Sequence, residues 1–466
     1  MHNSNSFQSP FTSRRDFIRW SLAGAGLTVC NIAGRGVEGF ELNSTGDSTG
    51  DQSGSGSGVG VEVVGPRGRT PVSFIIDDST CLVNMGHFCM PQFAEAWPDR
   101  KEYDKPWRTW PREIPDSFVR EFGEWCGEHG VRGKYSIVPF PACVGRLDRE
   151  LPGWSRGDLR ASLKLVRELM CPNWDIHPEM ITHTRVIDLA TGHPQVEIND
   201  GTMENSYPRQ KKSADELAAY LTYALRILKN CDLPCEGITT PGGFGNLVKP
   251  ELGLAVFQAV RDVYSAELPH YFKYVEDKGL ETWPKIEHAS GLDTDQPRMV
   301  VNVPAGTGDW FGGWDGSRQS EGAKYATPDG AKGRMVELLE NGRPAVMLCH
   351  WAGLFSNGSK EGFHDFQQVV QGLERRFRDT MVWMKVSTLA RYGAARALTK
   401  IQRIAKPGAT PAATMLKLSA PVACPEFTIR FEAPAARSVK LTAAGKSVPL
   451  NRAESARDLA AGGWRL

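Results

Sequence analysis

A chain of 466 residues, 41% hydrophobic and 23% charged, has an ordinary globular balance and enough length for one large domain plus a smaller one. Its formal net charge of +1 offers no basic or acidic excess for a nucleic acid or an anionic membrane surface, so neither partner is expected. After the N-terminal leader no apolar run reaches about 18 residues, which excludes an internal membrane span.

In chain order, the first feature is Thr12-Ser13-Arg14-Arg15-Asp16-Phe17-Ile18-Arg19, followed by a weakly apolar, Gly-containing stretch from Trp20 to Val29. The consecutive Arg pair, Phe-Ile and weak apolar run resemble a bacterial twin-arginine export signal, which implies a periplasmic or extracellular destination. Val29 precedes Cys30 where lipidation needs a small residue. Residues 1–40 are taken as this leader. The span 41–68, dense in Gly, Ser, Thr and Asp between Ser44 and Gly60, is taken as a linker. None of the ten cysteines makes the Cys-x-x-Cys spacing of a zinc ribbon. Cys231 and Cys235 are a candidate disulfide for an oxidising compartment, and the apolar surroundings of most others suit buried thiols.

From residue 71 short β-rich runs alternate with longer helical ones. Strand 72–77 leads into a long Trp- and Pro-rich loop, Phe88 to Pro115, then a helix near 116–129 with Asp116 as N-cap. Strand 133–138, helix 157–170 and strand 174–182 follow, then a hairpin over 185–198 around Ala190-Thr191-Gly192. Ser213 and Glu216 stand at capping-box spacing before an amphipathic helix to Asn230. Next come strand 236–240, helix 250–263, strands near 264–268 and at 299–303, helix 328–341, strand 345–349 and helix 361–378. Met381 to Lys385 is the last strand of this part, with Ser387 as N-cap of a helix through Leu398. Seven or eight such units predict an α/β fold, a deformed parallel β/α barrel over 69–402. Beyond Pro407 short alternating runs such as Phe427-Thr428-Ile429-Arg430-Phe431 predict a small β module over 408–466.

The chemistry gathers at strand ends. Asp77 and Asp78 close the run Val72 to Ile76, and two adjacent carboxylates need a shared cation or a retained proton. Trp174-Asp175-Ile176 leads through Glu179-Met180-Ile181-Thr182 to His183-Thr184. Met299 to Val303 leads to Asp309-Trp310, and Pro344 to Cys349 ends at His350-Trp351. Ionisable side chains at successive strand ends describe the carboxyl face of a β/α barrel, where active sites are assembled.

Taken in order, these strand ends resemble the polysaccharide deacetylase family, metal-dependent carbohydrate esterases on a deformed β/α barrel. The resemblance covers about 71–400 and rests on Ile75-Ile76-Asp77-Asp78, Glu179 to Thr184, Thr239-Thr240-Pro241-Gly242-Gly243, Asp309-Trp310, Leu348-Cys349-His350 and Lys385 to Ala390. It implies Asp77 as general base, Asp78 and His183 as ligands of a divalent metal, zinc in the first instance, and His350 as general acid, with Asp309 among the catalytic group. Pro241, Gly242, Trp310, Trp314 and Trp351 are the candidate substrate contacts, the tryptophans as walls and sugar-stacking faces.

Two departures stand out: Ile187 occupies the place of the family's second metal histidine, and Thr239 that of the arginine that orients the base. His177, His193, Asp188 and His87 are the candidate replacement ligands. The function implied is removal of acyl groups from an exported carbohydrate. The rivals are a glycoside hydrolase using carboxylates such as Asp77 and Asp309, and a glycan-binding barrel without catalysis.

Overall fold

A computed structural model describes residues 18–22, 26–32, 40–42, 61–78, 82–294, 296–404, 414–431, 439–443, 446–448, 450–454, 459 and 463–465. The chain divides into two compact units, one of Thr70–Ser290 with Arg298–Ala390, the other of Met1–Arg69, Gly291–Pro297 and Arg391–Leu466.

The larger unit is mixed α/β. Its strands, numbered within this unit, are β1 (Thr70–Asp77), β2 (Gly133–Ile137), β3 (Trp174–Pro178), β4 (Gly237–Thr239), β5 (His270–Phe272), β6 (Lys285–Ser290), β7 (Arg298–Asn302), β8 (Ala345–His350) and β9 (Met381–Trp383). One sheet has the order β8-β1-β2-β3, with β9 also on β1, and every pairing in it is parallel. Val72 pairs with both Ala345 and Trp383, so β9 shares the edge of β1 that β2 takes further along. The second sheet runs β6-β7-β5-β4, parallel except where β6 meets β7. Isolated parallel bridges occur at Glu179↔Thr239 and Asp309↔Leu348, and Gly306 N–H donates to the Val346 carbonyl at 2.8 Å.

Every residue of β2, β4 and β5 is buried, as expected of parallel strands covered on both faces. The helices are α1 (Met85–Ala96), α2 (Asp116–Glu128), α3 (Arg156–Leu165), α4 (Ala214–Asn230), α5 (Lys249–Tyr264), α6 (Arg334–Glu340), α7 (Trp351–Phe355), α8 (Glu361–Phe377) and α9 (Val386–Leu398). No helix among the described residues is long and apolar enough to cross a membrane.

Several local expectations are corrected. The Trp- and Pro-rich stretch is not all loop: Met85, Cys89, Phe93 and Ala96, at helical spacing, are the buried face of α1, which contains Pro91. Pro115, not Asp116, is the N-cap of α2; Asp116 is the first helical residue, and its carboxylate accepts from Ser162 Oγ at 2.7 Å. Ser387 lies inside α9, and Asp175 of β3 accepts both its N–H (2.7 Å) and its Oγ (3.0 Å), so a neighbouring strand supplies the cap. The strand expected near 264–268 begins at His270, and the helix expected over 328–341 is confined to Arg334–Glu340. The Ser213–Glu216 capping box is formed as expected, a feature typically contributing about 1 kcal/mol.

In the smaller unit one sheet orders Lys400–Ile404, Thr414–Ser419, Phe40–Leu42, Ile18–Leu22, Val439–Ala443 and Lys446–Val448. The other orders Asn451–Arg452, Gly463–Arg465, Gly26–Ile32, Cys424–Phe431 and Val61–Val64. Backbone inside the expected leader and at the end of the expected linker therefore pairs with the C-terminal strands. Arg14, Arg15 and the stretch from Ser44 to Gly60 lie outside the described residues.

Candidate metal centre

Asp77 is the last residue of β1, and Asp78 leaves it at φ +52°, a left-handed conformation that few non-glycine residues adopt. Neighbouring side chains on a strand project to opposite faces, and this turn removes the alternation, so that Asp77 and Asp78 both act on His350. Glu179 follows β3 directly, and its Oε2 accepts the Asp78 N–H at 2.9 Å. Left-handed turns at Met180 (φ +49°) and His183 (φ +59°) then fold the chain back on itself. His183 Nε2 consequently stands 2.6 Å from Asp78 Oδ1 and 3.4 Å from Glu179 Oε1. Backbone strain of this kind clusters at functional sites because the surroundings must enforce it.

One donor atom from each of Asp78, Glu179 and His183 lies within 4.8 Å of the others, and all three residues are buried. Two carboxylates and one imidazole suit a divalent cation. The fit is also local: among the described residues the buried Asp78 Oδ1 has no polar partner besides the His183 ring, whose Nε2 is 2.6 Å away. Burial pulls the His183 imidazole down, but the charge of Asp78 together with hydrogen bonds to Asp78, Cys89 and Glu179 outweighs it and holds His183 well above the usual histidine range. The pocket demands positive charge, which a proton on His183 or a cation between the three groups would supply.

Beside this cluster, Asp77 bonds to Lys134 Nζ and accepts from Ser136 Oγ at 3.0 Å. Lys134, with no side-chain exposure, also reaches Ser136 Oγ (2.7 Å) and Thr239 Oγ1 (2.6 Å). Burial raises the Asp77 carboxyl above its ordinary value, and the Lys134 charge opposes that rise. On the other flank His350 Nδ1 meets Asp309 Oδ2 at 2.7 Å, while its Nε2 is 3.9 Å from Asp78 Oδ2. Burial depresses the His350 imidazole, but the hydrogen bond and charge of Asp309 outweigh it and hold the group at about 9.

The structure thus brings Asp77, Asp78, His183, Asp309 and His350 together. His177 is elsewhere: its ring is fully buried against His270, Nε2 to Nε2 3.0 Å, with Nδ1 3.4 Å from Thr239 Oγ1. His87 Nδ1 bonds to the Trp110 carbonyl at 3.0 Å, and Asp188 accepts the N–H groups of Ala190 and Thr191 in an exposed turn that also carries His193. Ile187 is a core residue. Trp351 is a correction: at 1% exposure it packs on Phe118, Phe122 and Tyr135 and walls no cleft. Trp310 and Trp314 are half-buried, Pro241 is buried, and Gly242 is exposed with φ +41°. Cys231 and Cys235 are free buried thiols rather than a disulfide, Cys231 pushed up to about 12 by burial.

Sequence reasoning passed over Glu179 and Lys134. The Glu-x-x-x-His spacing is plain in the sequence but does not by itself mark Glu179 as a ligand, and a lysine in a short strand carries no mark of burial. It also missed the ring cluster beside the site, in which Phe93 lies 6.1 Å from His183, 5.3 Å from Trp314, 5.3 Å from Tyr103 and 5.5 Å from Trp97, centroid to centroid.

No family model and no curated protein matches the chain. Among solved structures it is similar to a protein of Parabacteroides distasonis designated a glycoside hydrolase/deacetylase, at 11% identity and a TM-score of 0.37, over 86% of this chain and 91% of that one. It is also similar to a 4-alpha-glucanotransferase of Thermococcus litoralis, at 12% identity and a TM-score of 0.35, over 68% of this chain and 38% of that one. The chain thus spans well under half of the glucanotransferase's length.

Proposed function

We propose that the chain is a metal-dependent hydrolase that removes acyl groups from a carbohydrate, built on a deformed parallel β/α barrel. The observation that carries this is the grouping of Asp78, Glu179 and His183 between an Asp77–Lys134 pair and an Asp309–His350 pair. The barrel is supported by the bridges Glu179↔Thr239 and Asp309↔Leu348, which lie where the two sheets would join into a ring.

Asp78, Glu179 and His183 would hold the divalent cation, and Glu179 stands in for the histidine whose place Ile187 takes. Bound there, a divalent cation supplies Lewis-acid polarisation of a carbonyl and a lowered pKa for water. Asp77 is the proton acceptor. Lys134 and Ser136 fix its orientation, and Lys134 does the work of the arginine that Thr239 replaces. His350, held protonated by Asp309, donates to the leaving alkoxide or amine, a contribution typically of about 10²–10⁴-fold. Trp314, Tyr103 and Trp97, half-buried and packed around the Phe93 ring beside His183, offer ring faces to a sugar, and the half-buried Trp310 follows Asp309. Export through the twin-arginine pathway belongs to the same proposal and rests on Arg14, Arg15 and the weak apolar run after them.

The test is metal analysis of purified wild type and Asp78→Ala after equilibration with Zn²⁺, Co²⁺ or Mn²⁺, beside acetate release from acetylated xylan and chitin oligosaccharides. One tightly held cation in wild type, lost with acetate release in Asp78→Ala, is expected. A wild type that retains no cation and releases no acetate overturns the proposal.

A further inference from the structure

Glu204 is fully buried, yet no part of the chemistry above uses it. Its Oε2 accepts the N–H of Thr182 at 3.1 Å and of His183 at 2.6 Å, and its Oε1 accepts the N–H of Ile181 at 3.2 Å and the Tyr220 hydroxyl at 2.6 Å. Three successive backbone N–H groups therefore converge on one internal carboxylate, the concave arrangement that elsewhere binds anions. The loop they belong to is the one bent at Met180 and His183 into left-handed backbone. Tyr220, on α4, is itself buried and accepts the Ile187 N–H at 3.2 Å, so the far end of the clamp is anchored in the core.

We infer that Glu204 is the positioning residue of the metal centre: it holds the strained 181–183 backbone in the one conformation that aims the His183 imidazole at Asp78 and Glu179. The inference rests on the proposed role of His183 as ligand. A glutamine at 204 keeps the shape but presents an NH₂ donor to groups that are all donors, so at least one of the four bonds must break. Groups that orient metal ligands from outside the coordination sphere typically change metal affinity about 10–100-fold when altered.

Glu204→Gln should weaken Co²⁺ affinity by about that factor, measured by competition with a chelator, and should change the Co²⁺ absorption bands that report ligand geometry. Tyr220→Phe, which removes one hydroxyl and leaves the carboxylate in place, should give a smaller loss of the same kind. Hydrogen exchange at the amides of Ile181, Thr182 and His183 is a metal-independent readout and should accelerate in both variants. A role confined to stability would lower the unfolding midpoint while leaving the Co²⁺ spectrum and the affinity of the folded protein unchanged. That result, or unaltered exchange at the three amides, overturns the inference. Absence of Co²⁺ binding in wild type would instead overturn the hydrolase proposal, and the exchange data would still decide whether Glu204 governs the loop. Should Glu204→Gln not fold, the Tyr220→Phe affinity and exchange data decide alone.

Discussion

Replacing Lys134 with Met is the sharpest single perturbation of the site's scaffold. The methylene stem is roughly conserved, and what disappears is an ammonium with no exposure, bonded to Asp77, Ser136 and Thr239 and 5.4 Å from the Phe272 ring centre. Among the described residues Asp77, itself 5% exposed, would keep only the Ser136 hydroxyl as a hydrogen-bond partner. Removing one member of a buried ion pair typically costs about 3–5 kcal/mol, because the remaining charge has neither water nor a counter-ion. Protonation of Asp77 is its escape, and this gives the effect a pH signature. The folded carboxyl already lies above its unfolded value, and loss of the opposing Lys134 charge raises it further. A raised carboxyl contributes stability below its unfolded pKa and loses it as pH rises through the folded one, at up to about 1.4 kcal/mol per pH unit. The Lys134→Met deficit, read from urea midpoints at constant slope, should therefore be larger at pH 8 than at pH 5. In the Asp77→Asn background the same change should cost far less, since no charge is stranded. A deficit below about 1 kcal/mol, or one that is independent of pH and of Asp77, would refute the uncompensated-charge reasoning.

The remaining predictions divide the site by role. Asp77→Asn should retain the cation and lose acetate release, as metal analysis and turnover on one preparation will show. Glu179→Gln should weaken cation retention at least about ten-fold, measured by chelator competition. His350→Ala should lower kcat by about 10²–10⁴-fold, with metal content unchanged. Replacing Arg14 and Arg15 together with Lys should leave a folded precursor in the cytoplasm, detected by fractionation and immunoblot.

The strand ends were legible because parallel strands buried on both faces are written as unbroken apolar runs, and the first ionisable residue after each run is conspicuous. Asp77, Asp78, Asp309 and His350 were found that way. Glu179 was not, because its place beside Asp78 and His183 depends on left-handed turns at Met180 and His183, and a non-glycine residue carries no sequence mark of positive φ. Without those turns, a glutamate four residues before a histidine on an extended run would be roughly 13 Å away. Lys134 was hidden for a related reason: the second residue of a five-residue strand could face solvent or the interior, and only full burial of β2 decides it. Helix α1 was masked by Pro91 and by aromatic residues whose helical spacing is plain once Met85, Cys89, Phe93 and Ala96 are known to be its buried face. The antiparallel β6 interrupts the expected strand-helix succession: its residues alternate exposed and half-buried, but the half-buried set Ile286, His288 and Ser290 carries too little apolar contrast to mark a strand.

Charge placement favours the corner formed by Asp78, Glu179 and His183 for the proposed cation. Asp77 has Lys134 and Asp309 has His350, each within hydrogen-bonding distance, so two of the four carboxylates are individually compensated. Asp78 and Glu179 share a single imidazole, and among the described residues Asp78 Oδ1 has no polar partner besides that ring. Lys134 is engaged with Asp77, Ser136 and Thr239 and compensates Asp77 from there, whereas a neutral imidazole at His183 would offer a lone pair to a metal. The residual negative charge is thus confined to Asp78 and Glu179. Where a second imidazole would make such a site richer in nitrogen, a second carboxylate would make it harder and richer in oxygen. On the proposed reading Glu179 would serve as the third ligand where Ile187 supplies none, and a second carboxylate would alter which cations such a site prefers.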